Sequence, residues 1–245
     1  MKEEKPHYGY YALPIFAAFA GGGIVVGLLV AIFLWRIVGI FLVFFCLYIA
    51  MTYAIQVRSW DQSNPAEVPD ILQLRGDEEV LDVGCGLGKL TIGIAKELTT
   101  GKVIGVDVWD KIEIPGNSPQ RAYRNAQLEG VQEKTEFRTA DVRELPLTDN
   151  SCDLVAASSV INNLKGETDR LKALREIYRV LRPGGRFLLL EPLLDLQALL
   201  LYTPLAGFAF CSKKVWLDIL TKTAFVNLKT AFHQGMGLFL MEKPV

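Results

Sequence analysis

The chain has 245 residues, enough for one α/β domain with a segment to spare. Its formal net charge of -1 and pI near 6.2 argue against a nucleic-acid binder held by bulk charge. Four scattered cysteines without a CxxC pair offer neither a zinc site nor a disulfide framework, and a reducing compartment is the simplest reading.

The mean hydropathy of +0.26 is high for a water-soluble enzyme, and the N-terminus accounts for it. Between Tyr8 and Ile55 the only charged residue is Arg36. Crossing a bilayer core takes roughly 20 apolar residues, and the run divides at Trp35-Arg36 into two such lengths, Leu13 to Leu34 and Ile37 to Ile55. The pattern predicts a transmembrane helical hairpin over residues 1–57, retained and not cleaved, because a second apolar segment follows the first at once. Lys2, Lys5 and Arg58 flank it against Arg36 in the turn, which puts both ends on the cytoplasmic side. Gly23 and Gly27 have the spacing that lets helix backbones approach closely. That face is open to the second span or to another protomer, the latter giving a homo-oligomer.

Residues 58–76 read as a linker with Pro65 and Pro69 and a short helix, leading into a soluble domain over 77–245. Strands are expected at Val80–Val83, Lys102–Val106, Thr135–Arg138, Cys152–Ala157 and Phe187–Leu190, with helices at Lys89–Leu98, from Arg121, and at Thr168–Leu181. The last of these helices stops at "RPGG", where Pro183 and Gly184 do not continue it. Alternating strands and helices predict a doubly wound, mostly parallel sheet, and "FVNLKTAF" with "GMGLFLMEK" predicts a closing antiparallel hairpin. All the sheet motifs lie beyond Gln56, so the anchor should be separable from the ligand site.

The first strand ends in "LDVGCGLGKL", with Gly84, Gly86 and Gly88 opening the next helix. Glycines at the carboxyl edge of such a sheet let a ligand approach the backbone. Their GxGxG spacing misses the dinucleotide fingerprint by one position, and no Walker loop is present. His7 and His233 are too few for a metal site.

Together "VLDVGCGLG", "VIGVDVWD", "TADVRELPL", "SCDLV" and "EIYRVLRPGGRFLLLEP" resemble the class I S-adenosylmethionine-dependent methyltransferases, especially their small-molecule branch, over about Asp70 to Glu242. The resemblance implies a seven-stranded sheet and S-adenosylmethionine as cofactor. It places Asp82, Gly84, Cys85, Gly86 and Gly88 around the methionyl part, Asp107 on the ribose hydroxyls, and Val108 on one adenine face. Asp141 and the Val142 backbone match the group that reads the adenine edge, and Ser158 lies where donor methyl and acceptor meet. Relatives often carry histidine where Asn162 stands, and asparagine is no base near neutral pH. Asn162 and Asn163 either orient an acceptor or cap the turn. In the unusually long link from Trp109 to Gln120, Trp109 either closes the pocket or packs in the loop.

The insert at about 193–212, notably "LLDLQALLLYTPLAGFAF", corresponds to the region that often supplies the substrate lid in this fold; it is more apolar than a water-facing lid, and reads either as a lid at a headgroup surface or as a core-packed helix pair. The leading expectation is a membrane-anchored methyltransferase for an apolar or lipid-like acceptor. The alternatives are a methyltransferase for a small soluble or volatile acceptor, or a cofactor-binding membrane scaffold.

Overall fold

The computed structural model describes residues 4–59, 63–196, 210–233 and 235–245. Two long apolar helices, α1 (Leu13–Phe33) and α2 (Arg36–Ser59), fold back on each other through a turn at Leu34 and Trp35. Glycines set their approach: a Cβ on Gly39 would run into the Ala31 backbone, and one on Gly27 would lie 3.1 Å from the Val43 nitrogen. Gly23 faces Cys46, whereas Gly21 and Gly22 face open space. The Gly23/Gly27 face is therefore filled by α2 of the same chain, which corrects the expectation of a homo-oligomer contact there.

The remaining elements are β1 (Glu79–Val83), α3 (Lys89–Glu97), β2 (Lys102–Asp107), α4 (Pro119–Leu128), β3 (Thr135–Thr139) and β4 (Cys152–Ser158), then α5 (Gly166–Val180), β5 (Leu181–Pro192), α6 (Lys213–Thr221), β6 (Val226–His233) and β7 (Met236–Glu242). A 3-10 turn at Asp70–Leu72 stands where a short helix was expected, and it buries Leu72 completely. The sheet order is β3-β2-β1-β4-β5-β7-β6, parallel as far as β5 and antiparallel in the last two strands. Chain order reverses between β1 and β4, which is where doubly wound sheets open a ligand crevice. The fold is the expected seven-stranded one.

Side-chain alternation along the strands splits the core across the two faces of the sheet. Leu81 and Val83 pack with α5 and α6 through Leu174, Ile177, Trp216 and Ile219, while Val80 packs with α3 and α4 through Ile92, Ile94, Ala122 and Ala126. α4 starts two residues before the expected Arg121, because the Ser118 hydroxyl accepts from the Arg121 N–H and Pro119 fits the first turn. β5 is longer than Phe187–Leu190 and includes "RPGG": Leu181 pairs with Cys152, then the register slips before Arg186 meets Leu154. A bulge thus accommodates the residues that ended α5.

No sequence pattern announced the strap ahead of α1. Tyr8 is buried in the same core layer as α3 and α4, and Glu4 pairs with Arg124 of α4. Asn125 accepts from the His7 N–H at 3.2 Å and donates to the carbonyls of His7 and Leu87. Gly9, at φ +81, lies so close to Ile114 and Leu87 that a Cβ would come within 2.6 Å of Ile114 Cγ2. Ala12 N–H donates to the Glu113 carbonyl at 2.6 Å. The residues leading into the hairpin are thus built into the sheet domain, packed beside the loop after β1.

Candidate cofactor and acceptor site

A cavity of about 1000 Å³ opens along the carboxyl ends of β1, β2, β3 and β4. Gly84, Gly86 and Gly88 all have positive φ, so the loop after β1 takes a path that side chains disfavour. Gly84 is also pinned from outside, because a Cβ there would collide with Val160. Gly88 directly precedes α3 and turns the chain into it. The buried thiol of Cys85 is pushed well up by desolvation, so Cys85 contributes backbone and bulk and not a nucleophile.

Asp107, at the end of β2, accepts from Gly86 N–H at 2.9 Å, Trp109 N–H at 2.6 Å and Asn117 Nδ2 at 3.2 Å. One carboxylate thereby joins the glycine loop to the long link and keeps a partly exposed edge in the cavity. The link returns Glu113, Ile114 and Asn117 to the cavity wall, a role its sequence did not reveal. Asn117 is buried, and its Oδ1 has no hydrogen-bond partner among the described residues. Trp109 turns away: its Nε1 donates to Thr139 Oγ1 at 2.9 Å and its ring packs against the core, so it is a loop-packing residue. Val108 lines the cavity and is 62% exposed, free to present its side chain to a flat ligand face.

Asp82 is buried and accepts from Thr91 Oγ1 at 2.6 Å, which ties β1 to the first turn of α3. Asp141 lies in the cavity wall, but Arg143 fills its carboxylate with three guanidinium contacts and a backbone N–H. Arg143 holds that carboxyl below its usual range. The neighbouring Val142 is buried and also lines the cavity.

At the end of β4 and in the turn after it, Ser158 and Asn163 face the cavity and Asn162 does not. Asn162 is buried, donates from Nδ2 to the Pro192 carbonyl at 2.7 Å and accepts from Cys211 N–H at 3.0 Å. Both ends of its amide are used in the framework, which corrects its candidacy as a catalytic residue. Asn163 instead accepts from the Tyr11 hydroxyl of the strap at 3.3 Å. Desolvation, with Glu113 nearby, pushes the Tyr11 phenol up to about 12, so it stays a neutral donor. Tyr11 and His233 in this wall were both missed from sequence, since they lie far from any motif.

Glu191, fully buried near the end of β5, orders the loop that follows β4. Its Oε1 accepts from Val160 N–H at 3.0 Å and Ile161 N–H at 2.6 Å, holding Val160 against Gly84. Its Oε2 has no partner among the described residues. Burial raises both Glu191 and Asp82 to about 7 from ordinary values of 4.5 and 3.8. The folded state therefore binds protons that the unfolded chain has released between about pH 4 and pH 7, and stability rises as pH falls through that window. Thermal unfolding should show Tm higher by several degrees near pH 5.5 than near pH 8. Glu191→Gln should flatten the slope, and an unaltered slope would remove Glu191 from this account.

The insert expected as a lid falls largely on 197–209, including Leu199, Leu200 and Leu201, outside the described residues; Leu193 and Phe210 at its ends do line the cavity. Among the described residues no group of His, Cys, Asp and Glu suits a metal.

Residues 81–189 match the family model described as methyltransferase domain. A demethylmenaquinone methyltransferase of Lactiplantibacillus plantarum is 35% identical over 137 residues, covering 55% of this chain and 52% of that protein. A ubiquinone/menaquinone biosynthesis C-methyltransferase of Escherichia coli is 36% identical over 123 residues, covering 50% of this chain and 45% of that protein. The chain thus spans about half the length of these curated relatives. A solved S-adenosylmethionine-dependent methyltransferase of Methanosarcina mazei superimposes with a TM-score of 0.61 at 19% identity, over 74% of this chain and all of that one. The cyclase SpnF superimposes at 0.56 with 21% identity, over 71% of this chain and 78% of that one. Such likenesses establish fold alone, and a cyclase among them shows why the site must carry the function. The loop of Gly84, Gly86 and Gly88, the carboxylate of Asp107 and the family match together place residues 81–189 in the class I S-adenosylmethionine-dependent methyltransferases.

Proposed function

We propose that this chain is a membrane-anchored methyltransferase that passes the methyl group of S-adenosylmethionine to an apolar, quinone-like acceptor. The observation that carries this reading is the continuity of one cavity from Asp107 and Ser158 to Phe16, Tyr53 and Val57 at the base of the apolar hairpin. The names of the quinone methyltransferases among its relatives support the acceptor class.

The helices support the anchor. α1 has 21 residues, about 30 Å at ~1.5 Å per residue, which matches a hydrocarbon core. Only 17% and 28% of the apolar windows of α1 and α2 are buried, whereas the core helix of a water-soluble protein would be mostly covered. Ile32, Phe33, Ile37 and Phe41 are each more than two-thirds exposed, which suits lipid and not water. Lys5 and Arg58, at the ends of the hairpin, support a sheet domain on the cytoplasmic side.

In this reading Asp107 and Asn117 bind the ribose hydroxyls, Val108 lies on the adenine face, and the Val142 backbone reads the adenine edge, since the Asp141 carboxylate is taken by Arg143. The glycine loop, with Asp82 fixing α3 behind it, holds the methionyl part. When bound, the cofactor supplies an electrophilic methyl on a sulfonium, and its leaving group departs neutral. The protein's task is then positioning, which is worth much of the barrier in reactions of this kind. Tyr11 and Asn163, beside Ser158, offer hydrogen bonds to an acceptor's oxygen and hold it in line.

Full-length protein in nanodiscs, given methyl-labelled S-adenosylmethionine and an extract of bacterial membranes, should place label in the organic-solvent phase. Label found only in water-soluble or volatile product would replace the apolar acceptor with a small one. Cofactor binding without any transfer would leave a scaffold.

A further inference from the structure

We infer that the base of the hairpin and the β6–β7 edge form a binding subsite for the apolar tail of the acceptor. The inference rests on the methyl-transfer reading above and goes beyond it, because it makes the hairpin part of the substrate site. The cavity's volume of about 1000 Å³ reaches the upper end of the roughly 300–1,000 Å³ that drug-sized ligand pockets span. Space therefore continues past the cofactor end, and two walls define it: Phe16, Tyr53 and Val57 on the hairpin, and Met236 on β7.

The chemistry of these walls differs from that near Ser158. Phe16 stacks on Tyr53 with ring centroids 4.4 Å apart. The Tyr53 hydroxyl is already spent on the Tyr11 carbonyl at 2.9 Å, so its ring presents hydrocarbon to the cavity. The Tyr11 hydroxyl and Asn163 meet nearer Ser158, while Gln56 beside Val57 and His233 at the end of β6 are polar side chains that also line the cavity. An occupant must then have a polar head and a long apolar chain. A free sugar, amino acid or nucleotide would leave one end unsatisfied.

The exit points the same way. Tyr11, Tyr48 and Tyr53 cluster at the base of the hairpin and Trp35 lies at its turn, the positions of aromatic belts at the two membrane surfaces. Phe16 and Val57 belong to the same two helices whose exposed apolar sides would face the hydrocarbon, which puts this wall next to the bilayer.

The test uses the full chain in nanodiscs and two probes: a naphthoquinol bearing a long isoprenoid tail, and the same naphthoquinol without the tail. The wild type should prefer the tailed probe by about tenfold or more in kcat/KM, since each buried CH₂ adds to binding. Phe16→Ala should bring that ratio towards one, mainly through KM of the tailed probe. Met236→Trp, on the opposite wall and outside the hairpin, should do the same by narrowing the path, and it decides the matter if Phe16→Ala fails to fold. An unchanged ratio in well-folded Met236→Trp, or equal use of both probes by the wild type, would overturn the subsite while leaving methyl transfer intact. Methylation of neither probe, with cofactor still bound, would instead bring down the reading on which the subsite rests.

Discussion

Asp107→Ala is expected to weaken S-adenosylmethionine binding by 100-fold or more, measured by calorimetry on full-length protein in detergent. Hydrogen bonds to a charged group are worth roughly 1.5–3 kcal/mol each, and two ribose hydroxyls would share this carboxylate. At about 1.4 kcal/mol per factor of ten, losing both costs on the order of 10²–10⁴ in affinity. The same carboxylate accepts from Gly86, Trp109 and Asn117, so the variant also loosens the glycine loop and the link beyond β2. Asp107→Asn separates the two effects: the amide keeps the size and one acceptor, and should recover part of the loop order but little of the affinity. Unchanged affinity in Asp107→Ala, with normal unfolding, would remove Asp107 from the cofactor site.

Deleting residues 1–57 is expected to do more than release a water-soluble domain. The cut removes Tyr8 from the core layer of α3 and α4, uncovers Leu87 and Ile114, and takes away the Ala12–Glu113 hydrogen bond. Losing one large buried side chain typically costs about 3–5 kcal/mol, so Tm should fall by on the order of 10 °C and cofactor affinity by at least tenfold as the roof of the pocket is lost. Gly9→Val gives the same answer without touching the helices. Valine at φ +81 is strained, and its Cβ would press on Ile114. A Gly9→Val protein with weakened cofactor binding and an intact hairpin would show that the strap forms part of the site. A truncated domain with wild-type affinity and Tm would show that it is a passive cover.

Both experiments turn on a difference between local and long-range information. The glycine loop was legible because three glycines at alternate positions after an apolar strand have few other uses, and the structure gives all three positive φ. Asp107 was singled out by its resemblance to the acidic residue that ends the family's second strand, and the structure sets it in the cavity wall. Asn162 and Asn163 were adjacent letters with equal claims. What parted them was the Pro192 carbonyl and the Cys211 N–H, 30 and 49 residues away, which took the amide of Asn162 and left Asn163 to the cavity.

The sequence by itself determined the alternation of strands and helices, the antiparallel close of the sheet, the two apolar helices and the glycine loop after β1. These follow from hydrophobic period, glycine and proline, whose physics acts within a few residues. Only the tertiary structure decided which face of α1 is taken by α2, that Tyr8 and Gly9 of the strap line the cavity, and that Tyr11 meets Asn163 across 152 positions of chain. Such contacts depend on where the hairpin's base settles against the sheet, and no local pattern in residues 4–12 carries that information. The reason is one of sequence separation: burial of Tyr8 is favourable only once α3 and α4, more than 80 residues later, have built the layer that receives it.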